Sequence, residues 1–382
     1  MLTNKTNMRI GYDAKRFFLN NTGLGNYSRW LVKSLALYYP NNTYLVYTPK
    51  VEPNARLDFL RSFKNIQTRL PKRKVLASWW RTRGIVQYLK RDAVELYHGL
   101  SHELPSGIRT SGIRSVLTVH DLIFMRFPQY FGMVSRTIYL AKLRYACRIS
   151  DRIIAISQRT KDDLIELLQV SATKIDVVYQ GCDIAFKTPC SEAHKQAVLK
   201  RYKISSPYLL SVGTIEERKN LLLLIKAMSQ VDPNVKLVVI GKQKDYAEVV
   251  KTAIHRYRLT ERMIFLDHID FADLPAFYQS AAAFVYPSRY EGFGIPILEA
   301  LNSGTPVIAA TGSCLEEAGG PYSLYTDPDD HADLATKINR VLTDEQLRNT
   351  MITQGRAYAE NFDDEKLAGQ LMTVYQNILQ HA

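Results

Sequence analysis

The chain has 382 residues, 46% of them hydrophobic, and a formal net charge of +13 at pH 7. This length is greater than one hydrophobic core usually covers and indicates two domains, and the apolar content is ordinary for a globular protein. The sequence has no apolar window long enough to span a bilayer, no signal-peptide core at its start and no paired spacing among its four cysteines, which together predict a cytoplasmic protein with free thiols.

Positive charge is concentrated in the first half of the chain. Residues 1–183 contain 29 Lys+Arg and 13 Asp+Glu, whereas residues 184–382 contain 21 and 24. Such a split indicates that one half meets an anionic surface. The densest basic stretch, "PKRKVLASWWRTRG" (71–84), combines cations with two tryptophans, as membrane headgroup regions favour. Its candidate membrane contacts are Lys72, Arg73, Lys74, Trp79, Trp80, Arg81 and Arg83.

Two alternatives remain open for this stretch. It could be a basic segment on an ordinary solvated helix. Nucleic-acid binding ranks below both interpretations, because the sequence contains no recognisable nucleic-acid module.

Strand-like and helical patterns alternate along the whole chain. Before a looser stretch at 182–195, strands are predicted at 8–14, 42–48, 93–99, 114–121, 151–157 and 174–181, with helices at 25–39 and 157–168. After it, strands are predicted at 207–213, 235–241, 263–269, 281–288 and 306–310.

This alternation is typical of α/β proteins with parallel sheets. We therefore expect two doubly wound, Rossmann-like domains that face each other across a cleft. The first domain should span 1–185 and the second 186–364. The last helix, within 365–382, should pack back on the first domain.

A glycine pair marks the first candidate site. Gly23 and Gly25 precede the helix predicted at 25–39, and a glycine turn at a helix start allows close approach by a phosphate or sugar. No third glycine completes a dinucleotide-binding fingerprint. A simple turn with a helix cap is the alternative.

Two histidines end neighbouring strands of the first domain. His120 lies at the carboxyl end of the strand at 114–121, and His98 lies at the end of the strand at 93–99. A histidine at this edge could bond a sugar hydroxyl or carry a proton, and His98 could line the same cleft. The alternative is a structural histidine.

A cationic pair follows a strand of the second domain. Gly213 ends the strand at 207–213, and Arg218 and Lys219 stand just before an apolar helix. A diphosphate leaving group needs positive charge as its bond to a sugar breaks, which these cations could supply. An exposed cationic pair is the alternative.

The stretch "RYEGFGIPILEA" (289–300) predicts a loop and then a helix. Glu291 lies in the loop, Glu299 is placed in the first helical turn, and the helix should stop at Gly304. Open α/β sheets bind ligands at this edge, and the free amides of a helix start favour an anion. For Glu299 alone, a favourable interaction with the helix dipole is the alternative.

Metal binding is disfavoured. Asp327-Pro328-Asp329 matches an acid-x-acid pattern that holds a divalent metal in some sugar-nucleotide enzymes. Here the segment resembles a turn followed by a helix start, where aspartates cap backbone amides. No metal ligand is therefore assigned.

Taken in order, five segments resemble the retaining glycosyltransferases of family four, which have the GT-B fold. They are Gly23-Leu24-Gly25, "VHDL" (119–122), "VGTIEERKN" (212–220), "YEGFGIPILEAL" (290–301) and "GTPVIAATGSCLEEAGG" (304–320). The resemblance covers nearly the whole chain, and only the 290–301 motif is specific alone. The chain is most similar to the bacterial branch that builds surface polysaccharides, including mannosyltransferases.

The resemblance implies a role for each matching position. Glu291 would lie by the donor sugar, Glu299 would bind the ribose, and Arg218 and Lys219 would neutralise the diphosphate. His120 would contact the sugar near its reacting carbon. The remaining donor contacts would be Gly23, Gly25, Gly213, Gly292, the amides of Phe293, Gly294 and Ile295, and the segment Asp267, His268 and Ile269 beside the nucleobase.

The acceptor side is less defined, because Asn26 stands where many relatives have a basic residue; Asn26 and His98 are its candidates. The implied reaction is the transfer of a hexose, with mannose from GDP-mannose favoured, to a glycan or lipid-linked acceptor. No cofactor or metal is implied. The protein would be cytoplasmic, with peripheral contact at the inner face of the plasma membrane. A sugar-nucleotide epimerase of the same fold and a non-catalytic, membrane-associated scaffold are the rival functions.

Overall fold

The computed structural model describes residues 7–52, 54–72, 79–205 and 207–380. They divide into two compact units. The first contains the described residues up to Gly181 and those from Phe362 onward, and the second runs from Cys182 to Asn361. The chain therefore leaves the first unit after Gly181 and returns to it for its last helix.

The first unit is built on a seven-stranded parallel sheet in the order β3-β2-β1-β4-β5-β6-β7. Its central strands are almost wholly buried, because helices cover both faces of such sheets. The strands are β1 (Arg9–Asp13), β2 (Thr43–Tyr47), β3 (Ile66–Arg69), β4 (Leu96–Gly99), β5 (Arg114–Val119), β6 (Arg152–Ala155) and β7 (Ile175–Val177).

Helices connect these strands. They are α1 (Lys15–Leu19), α2 (Gly23–Tyr38), α3 (Ile85–Arg91), α4 (Ile123–Arg126), α5 (Met133–Ile149) and α6 (Gln158–Leu168). Ser157 caps α6, its hydroxyl accepting a hydrogen bond from the Thr160 amide at 3.0 Å.

The second unit has a six-stranded parallel sheet in the order β10-β9-β8-β11-β12-β13. Its strands are β8 (Tyr208–Val212), β9 (Lys236–Ile240), β10 (Met263–Leu266), β11 (Ala283–Tyr286), β12 (Val307–Ala310) and β13 (Leu324–Thr326). Its helices are α7 (Ile184–Lys187), α8 (Glu192–Arg201), α9 (Leu221–Met228), α10 (Ala247–Arg256), α11 (Leu274–Ser280), α12 (Ile295–Ser303), α13 (Leu315–Gly319), α14 (His331–Thr343) and α15 (Glu345–Ala359).

The last helix, α16 (Asp364–Gln380), belongs to the first unit, where it packs against α2 and β5. The indole N–H of Trp30 in α2 donates to Asp364 Oδ1 at 2.9 Å. Tyr375, in the middle of the helix, is fully buried. The buried apolar residues of this helix thus complete the core of the first unit.

Candidate active site

In each sheet the strand order reverses at one point, and open α/β sheets bind ligands beside such points. In the second unit the reversal lies between β8 and β11, which pair directly, Leu210 opposite Phe284. The loop after β8 carries Arg218 and Lys219, and the loop after β11 carries Glu291. The topology therefore brings together two segments about seventy residues apart in the sequence.

A glycine pair allows the loop after β8 to leave the sheet. Gly213 has φ of +151° and Gly241, at the end of β9, has φ of +156°. A Cβ on Gly241 would stand 2.0 Å from the Gly213 carbonyl oxygen, so the two backbones meet too closely for any side chain there. Gly213, assigned to the donor side, is favoured as glycine by its positive φ alone, because a Cβ there would come no closer than 3.8 Å to its neighbours.

Arg218 and Lys219 lie in a single short turn, 217–219, directly before α9. Asn220, with φ of +56°, reverses the chain between this turn and the helix, and its side-chain amide donates to the Pro328 carbonyl at 2.7 Å. The Arg218 carbonyl also accepts the Arg289 amide at 2.9 Å, which ties the turn to the loop after β11. The two cations are therefore held in place.

Both cations pair with Glu291. Lys219 Nζ lies 2.5 Å from Glu291 Oε1, and an Arg218 Nη1 atom lies 2.8 Å from Oε2. The hydroxyls of Tyr286 and Ser288 donate to the same Oε1 at 3.1 and 2.6 Å. We call these five residues the Glu291 cluster. Because every side chain in it has a partner, the cluster has a defined geometry.

The cluster is largely buried, with Glu291 only 8% exposed. Burial would raise the pKa of this carboxyl, but the charges of Lys219 and Arg218 and the hydrogen bonds from Lys219 and Ser288 outweigh it and lower the pKa to about 2. Glu291 is thus a carboxylate at neutral pH and serves as a hydrogen-bond acceptor. It is not a source of protons.

The start of α12 offers amides beside this cluster. Pro296 occupies its first turn and, as predicted, Gly304 ends it, with φ of +74°. In the part of the chain that the structure describes, the amides of Gly294 and Ile295 have no hydrogen-bonding partner. Gly294 has φ of −135°, and its lack of a side chain is required because a Cβ would stand 2.7 Å from that of Ala318.

The position of Glu299 corrects the sequence prediction. Because α12 begins at Ile295, Glu299 is its fifth residue and no acidic residue lies in the first turn. A favourable effect on the first-turn dipole therefore does not explain it. Instead Glu299 Oε2 accepts a hydrogen bond from the buried Tyr278 hydroxyl at 2.8 Å.

The segment predicted beside the nucleobase follows β10, which ends at Leu266. Asp267 and His268 are exposed and Ile269 is half-buried. The Gln243 side-chain amide donates to Asp267 Oδ1 at 3.0 Å and holds the segment against the loop after β9. His268 and Ile269 are therefore accessible at the carboxyl edge of the second sheet.

In the first unit, Gly23 and Gly25 do not form a turn before the helix. They are part of α2, which begins at Gly23. Gly25 is required by packing, because a Cβ there would lie 1.8 Å from the Asn20 carbonyl oxygen, whereas a Cβ on Gly23 would meet nothing within 4 Å. Asn26 Oδ1 accepts hydrogen bonds from Arg29 and Arg56 at 2.7 and 2.8 Å.

His120 lies just beyond β5 and is 5% exposed. Its Nε2 is 2.8 Å from the Leu100 carbonyl oxygen, so Nε2 carries the proton and donates it. Burial first, and then the nearby His102, lower the pKa of His120 to about 3. His120 is therefore neutral, and its Nδ1 can only accept a hydrogen bond.

His98 has no exposed surface. Its Nδ1 is 2.6 Å from the Tyr375 hydroxyl and its Nε2 is 2.7 Å from Thr118 Oγ1. Burial lowers the pKa of His98 to about 3. Its assignment to the acceptor side is corrected, because both ring nitrogens bind side chains of the first unit's core.

The basic stretch at 71–84 is only partly available to a membrane. Trp80 is buried, and Arg81 pairs with Asp13 at 3.0 Å and with Glu103, so neither can contact lipid as predicted. Trp79 is 55% exposed, and Lys72 and Arg83 are exposed. Arg73 and Lys74 lie outside the described residues.

The aspartates at 327–329 bind groups of the protein. Asp327 Oδ1 accepts the Asp329 amide at 2.8 Å, and Asp329 Oδ1 pairs with Arg289 at 2.5 Å. Among the described residues, no cluster of His, Cys, Asp or Glu suits a metal ion. Nor does any helix in the described ranges have the length and apolar character to cross a membrane.

Sequence reasoning missed Tyr286 and Ser288 of the Glu291 cluster. Both lie in or just after the buried strand β11, and the available signal was a tyrosine and a serine on either side of Pro287, at the carboxyl end of an apolar run. His102 was also missed; its Nε2 accepts the His120 amide at 2.6 Å and so fixes the backbone there.

Known proteins match both halves of the chain. Residues 31–186 match the family model "Glycosyltransferase Family 4", and residues 196–358 match "Glycosyl transferases group 1". A relative named O-antigen chain mannosyltransferase B, from Escherichia coli, is 28% identical over 93% of this chain and 96% of its own. The O-antigen chain mannosyltransferase RfbU of Salmonella typhimurium is 26% identical over 77% and 76%.

Solved structures agree on the fold. Anabaena HepE, solved with UDP and glucose, superposes with a TM-score of 0.74 at 20% identity, over 97% of this chain and 100% of its own. A sucrose-phosphate synthase from Thermosynechococcus elongatus gives a TM-score of 0.76 at 21% identity, over 98% and 100%. The two family matches together cover most of the sequence, and the structure consists of two Rossmann-like units with parallel sheets. This chain is therefore a glycosyltransferase of group 1 with the GT-B fold.

Proposed function

We propose that this glycosyltransferase moves mannose from a nucleoside-diphosphate donor, GDP-mannose being favoured, to a glycan or lipid-linked acceptor during surface-polysaccharide synthesis. The sugar and the process are suggested by the relatives that share 26–28% identity over at least three quarters of the chain. The observation that carries the chemistry is the Glu291 cluster, in which two nearly buried cations lie beside a helix start.

The cluster suits a nucleoside diphosphate. In our proposal Arg218 and Lys219 neutralise the diphosphate, and the amides of Gly294 and Ile295 donate to it or to the sugar. Gly292 and the Phe293 amide complete this loop. Glu291, kept ionised by both cations, accepts hydrogen bonds from sugar hydroxyls while one or both cations turn to the phosphates.

Glu299 and the segment 267–269 are assigned to the nucleoside. The Glu299 carboxylate, oriented by Tyr278, binds the ribose hydroxyls. His268 and Ile269 border the base. These assignments come from the family resemblance and are consistent with the carboxyl-edge positions of both segments.

In the proposed reaction the bond between the sugar and the diphosphate oxygen breaks first. The leaving oxygen takes the electron pair, and Arg218 and Lys219 stabilise the resulting charge. The acceptor hydroxyl attacks the cation-like sugar carbon and gives its proton to the departing phosphate. Retention of configuration is proposed from the resemblance. His120, neutral and protonated on Nε2, accepts a hydrogen bond from a substrate hydroxyl through Nδ1.

A thermal-shift screen with GDP, UDP and their sugars tests donor identity, because a ligand that binds only the native state raises its melting temperature. We expect GDP and GDP-mannose to give the largest shifts. Incubation with GDP-mannose and a lipid-linked glycan should then yield a mannosylated acceptor. Interconversion of the donor sugar without any acceptor would instead indicate an epimerase, and absence of every nucleotide shift would indicate a scaffold.

We also propose that the reaction needs no metal, since Arg218 and Lys219 supply the positive charge and the 327–329 carboxylates are engaged with Arg289 and backbone amides. Activity should be unchanged after dialysis against EDTA. A loss that Mg²⁺ or Mn²⁺ restores would contradict this.

The final part of the proposal is that the protein works in the cytoplasm against the inner face of the plasma membrane, where a lipid-linked acceptor is available. The excess of cations in residues 1–183 supports contact with anionic lipid.

A further inference from the structure

The first half of α5 exposes apolar side chains to an extent that the rest of the described chain does not match. Met133 and Val134 are each 74% exposed, Ile138 is 52% exposed and Tyr139 is 47% exposed. Phe131, just before the helix, is 42% exposed. Scattered single apolar residues on a surface are normal, but five within nine positions form a patch that needs a partner.

This patch is well anchored to the first unit. The rings of Phe131 and Tyr139 lie 6.5 and 5.9 Å from that of Phe124, which is buried in the core. From Leu143 onward the helix itself is embedded, with Leu143, Ala146 and Cys147 buried. The first two turns of α5 are therefore exposed, while the rest of the helix and the ring contacts with Phe124 hold them against the first unit.

The charge of α5 is of one sign. Arg136, Lys142, Arg144 and Arg148 lie on the helix, which has no aspartate or glutamate along its 17 residues. Lys142 pairs with Glu103 at 3.0 Å yet remains 53% exposed, and Arg144 and Arg148 are exposed. A helix that presents apolar residues together with cations is typical of segments that lie in the interface of an anionic bilayer.

The position of the patch suits a lipid-linked acceptor. The chain leaves β5 at its carboxyl end, passes His120 and reaches α5 within 14 residues, so the exposed turns begin on the ligand-binding side of the first sheet. Contact with a bilayer here would bring that edge to the membrane surface.

We infer that the first two turns of α5, with Phe131, form the membrane-contacting surface of this protein, and that they insert into the headgroup region of an anionic bilayer. This inference rests on the proposed function, which places the protein at the inner membrane face. It replaces the tryptophans at 79–80 as the main contact, because Trp80 is buried.

The test is flotation with vesicles of phosphatidylglycerol and phosphatidylcholine, compared with phosphatidylcholine alone. The variant M133S/V134S/I138S removes three exposed apolar side chains. The matched control L37S/I184S/V249S removes three others that are 53, 57 and 49% exposed. Neither set includes a residue assigned to the site, and such exposed positions should leave the melting temperature unchanged.

We expect the wild-type protein to float with the anionic vesicles and to do so less at high salt. The α5 variant should lose at least about tenfold in membrane partition, since each buried apolar side chain favours the bilayer by roughly that factor or more. The control variant should float as the wild type does. Transfer to a water-soluble acceptor should be equal in all three, which separates this inference from the catalytic proposal.

Several outcomes would overturn the inference. One is unchanged flotation of the α5 variant, and another is an equal loss in the control. A third is loss of flotation only in Trp79→Ser, which would return the contact to 71–84. Absence of wild-type flotation, together with a dimer in sedimentation that the α5 variant dissociates, would show that a second copy of the chain covers this surface instead.

Discussion

At the scale of single residues, the central feature is the sharing of Glu291 between two cations. In the structure its carboxylate forms ion pairs with Lys219 and Arg218 and accepts hydrogen bonds from the hydroxyls of Tyr286 and Ser288. A diphosphate-binding site must hold its cations in place before the ligand binds. A carboxylate of the protein, such as Glu291, can hold them and still leave the site accessible to the ligand. The ion pairs should therefore rearrange when the donor binds.

Replacing Lys219 with alanine removes one of the two prearranged charges. We expect turnover to fall about 100-fold, the usual scale for losing such a partner of a developing charge. Tyr286→Phe is the matched control, because it removes a hydroxyl that contacts both Lys219 and Glu291 but leaves every charge in place. Steady-state kinetics of the two variants should differ strongly; equal turnover would exclude a charge-based role for Lys219.

Replacing Glu299 with alanine should weaken donor binding by about 1.5–3 kcal/mol, the range for a lost hydrogen bond to a charged group. Calorimetry with the nucleoside diphosphate measures this. Tyr278→Phe removes the hydroxyl that Glu299 binds in the free protein and keeps the carboxylate. If both variants lose the same affinity, Glu299 acts by supporting Tyr278, and its assignment to the ribose fails.

At the scale of elements, the start of α2 shows how one glycine can be essential and its neighbour dispensable. Gly25 must lack a Cβ because the Asn20 carbonyl occupies that space, whereas the space around Gly23 is open. From the sequence pattern Gly-x-Gly alone, both glycines would be expected to be equally necessary. Only the packing of the α1–α2 connection distinguishes them.

We expect Gly25→Ala to lower the stability of the first unit by about 1–3 kcal/mol, as overpacking does. Gly23→Ala should be neutral or stabilising by up to about 1 kcal/mol, since alanine favours a helix more than glycine. Thermal melts of both variants measure the difference. Equal melting temperatures would show that the connection relaxes without cost.

Burial on both faces made several strands recognisable in the sequence, although the edge strands β7 and β10 were predicted as well. Strands such as β1, β8 and β11 are buried on both faces and appear as apolar runs. β3 and β13 lie at the sheet edges, have only four and three residues and are half-exposed, so no run marks them. Glu299 was misplaced because α12 begins at Ile295, which makes Glu299 the fifth residue of the helix and puts it beyond the first turn.

Through the family resemblance, the sequence predicted that Arg218, Lys219 and Glu291 belong to one donor site, but not that they form ion pairs with one another. The sequence placed Arg218, Lys219 and Glu291 each at the carboxyl end of a strand. That β8 and β11 are neighbours, so that these residues form ion pairs, depends on strand order, which alternating patterns do not specify. The same limit applies to His98, whose partner Tyr375 is 277 residues away.

At the scale of the whole molecule, the first unit is assembled from two distant parts of the chain. Tyr375 of α16 forms a hydrogen bond with His98 of β4, and Asp364 accepts a hydrogen bond from Trp30. These contacts make the last helix a component of a core that begins at β1. The second unit, from Cys182 to Asn361, is continuous.

Tyr375→Phe leaves His98 Nδ1 without its partner in a fully buried site. We expect the first unit to lose about 1–2 kcal/mol, the scale for one unsatisfied buried polar group, and hydrogen exchange of β1, β4 and α2 to accelerate. Tyr358→Phe, which removes a hydroxyl bonded to the Glu317 carbonyl, should affect only the second unit. Exchange measured by mass spectrometry distinguishes the two; a uniform response would contradict the division into units.

The return of α16 to the first unit has a consequence for how the protein is made. During synthesis the seven strands of the first sheet leave the ribosome long before the helix that completes their core. The second unit has all its residues available earlier than the first and can reach its native structure while the first still waits. A released chain truncated after Asp363 should therefore have a protease-resistant second unit and a first unit whose core is incomplete.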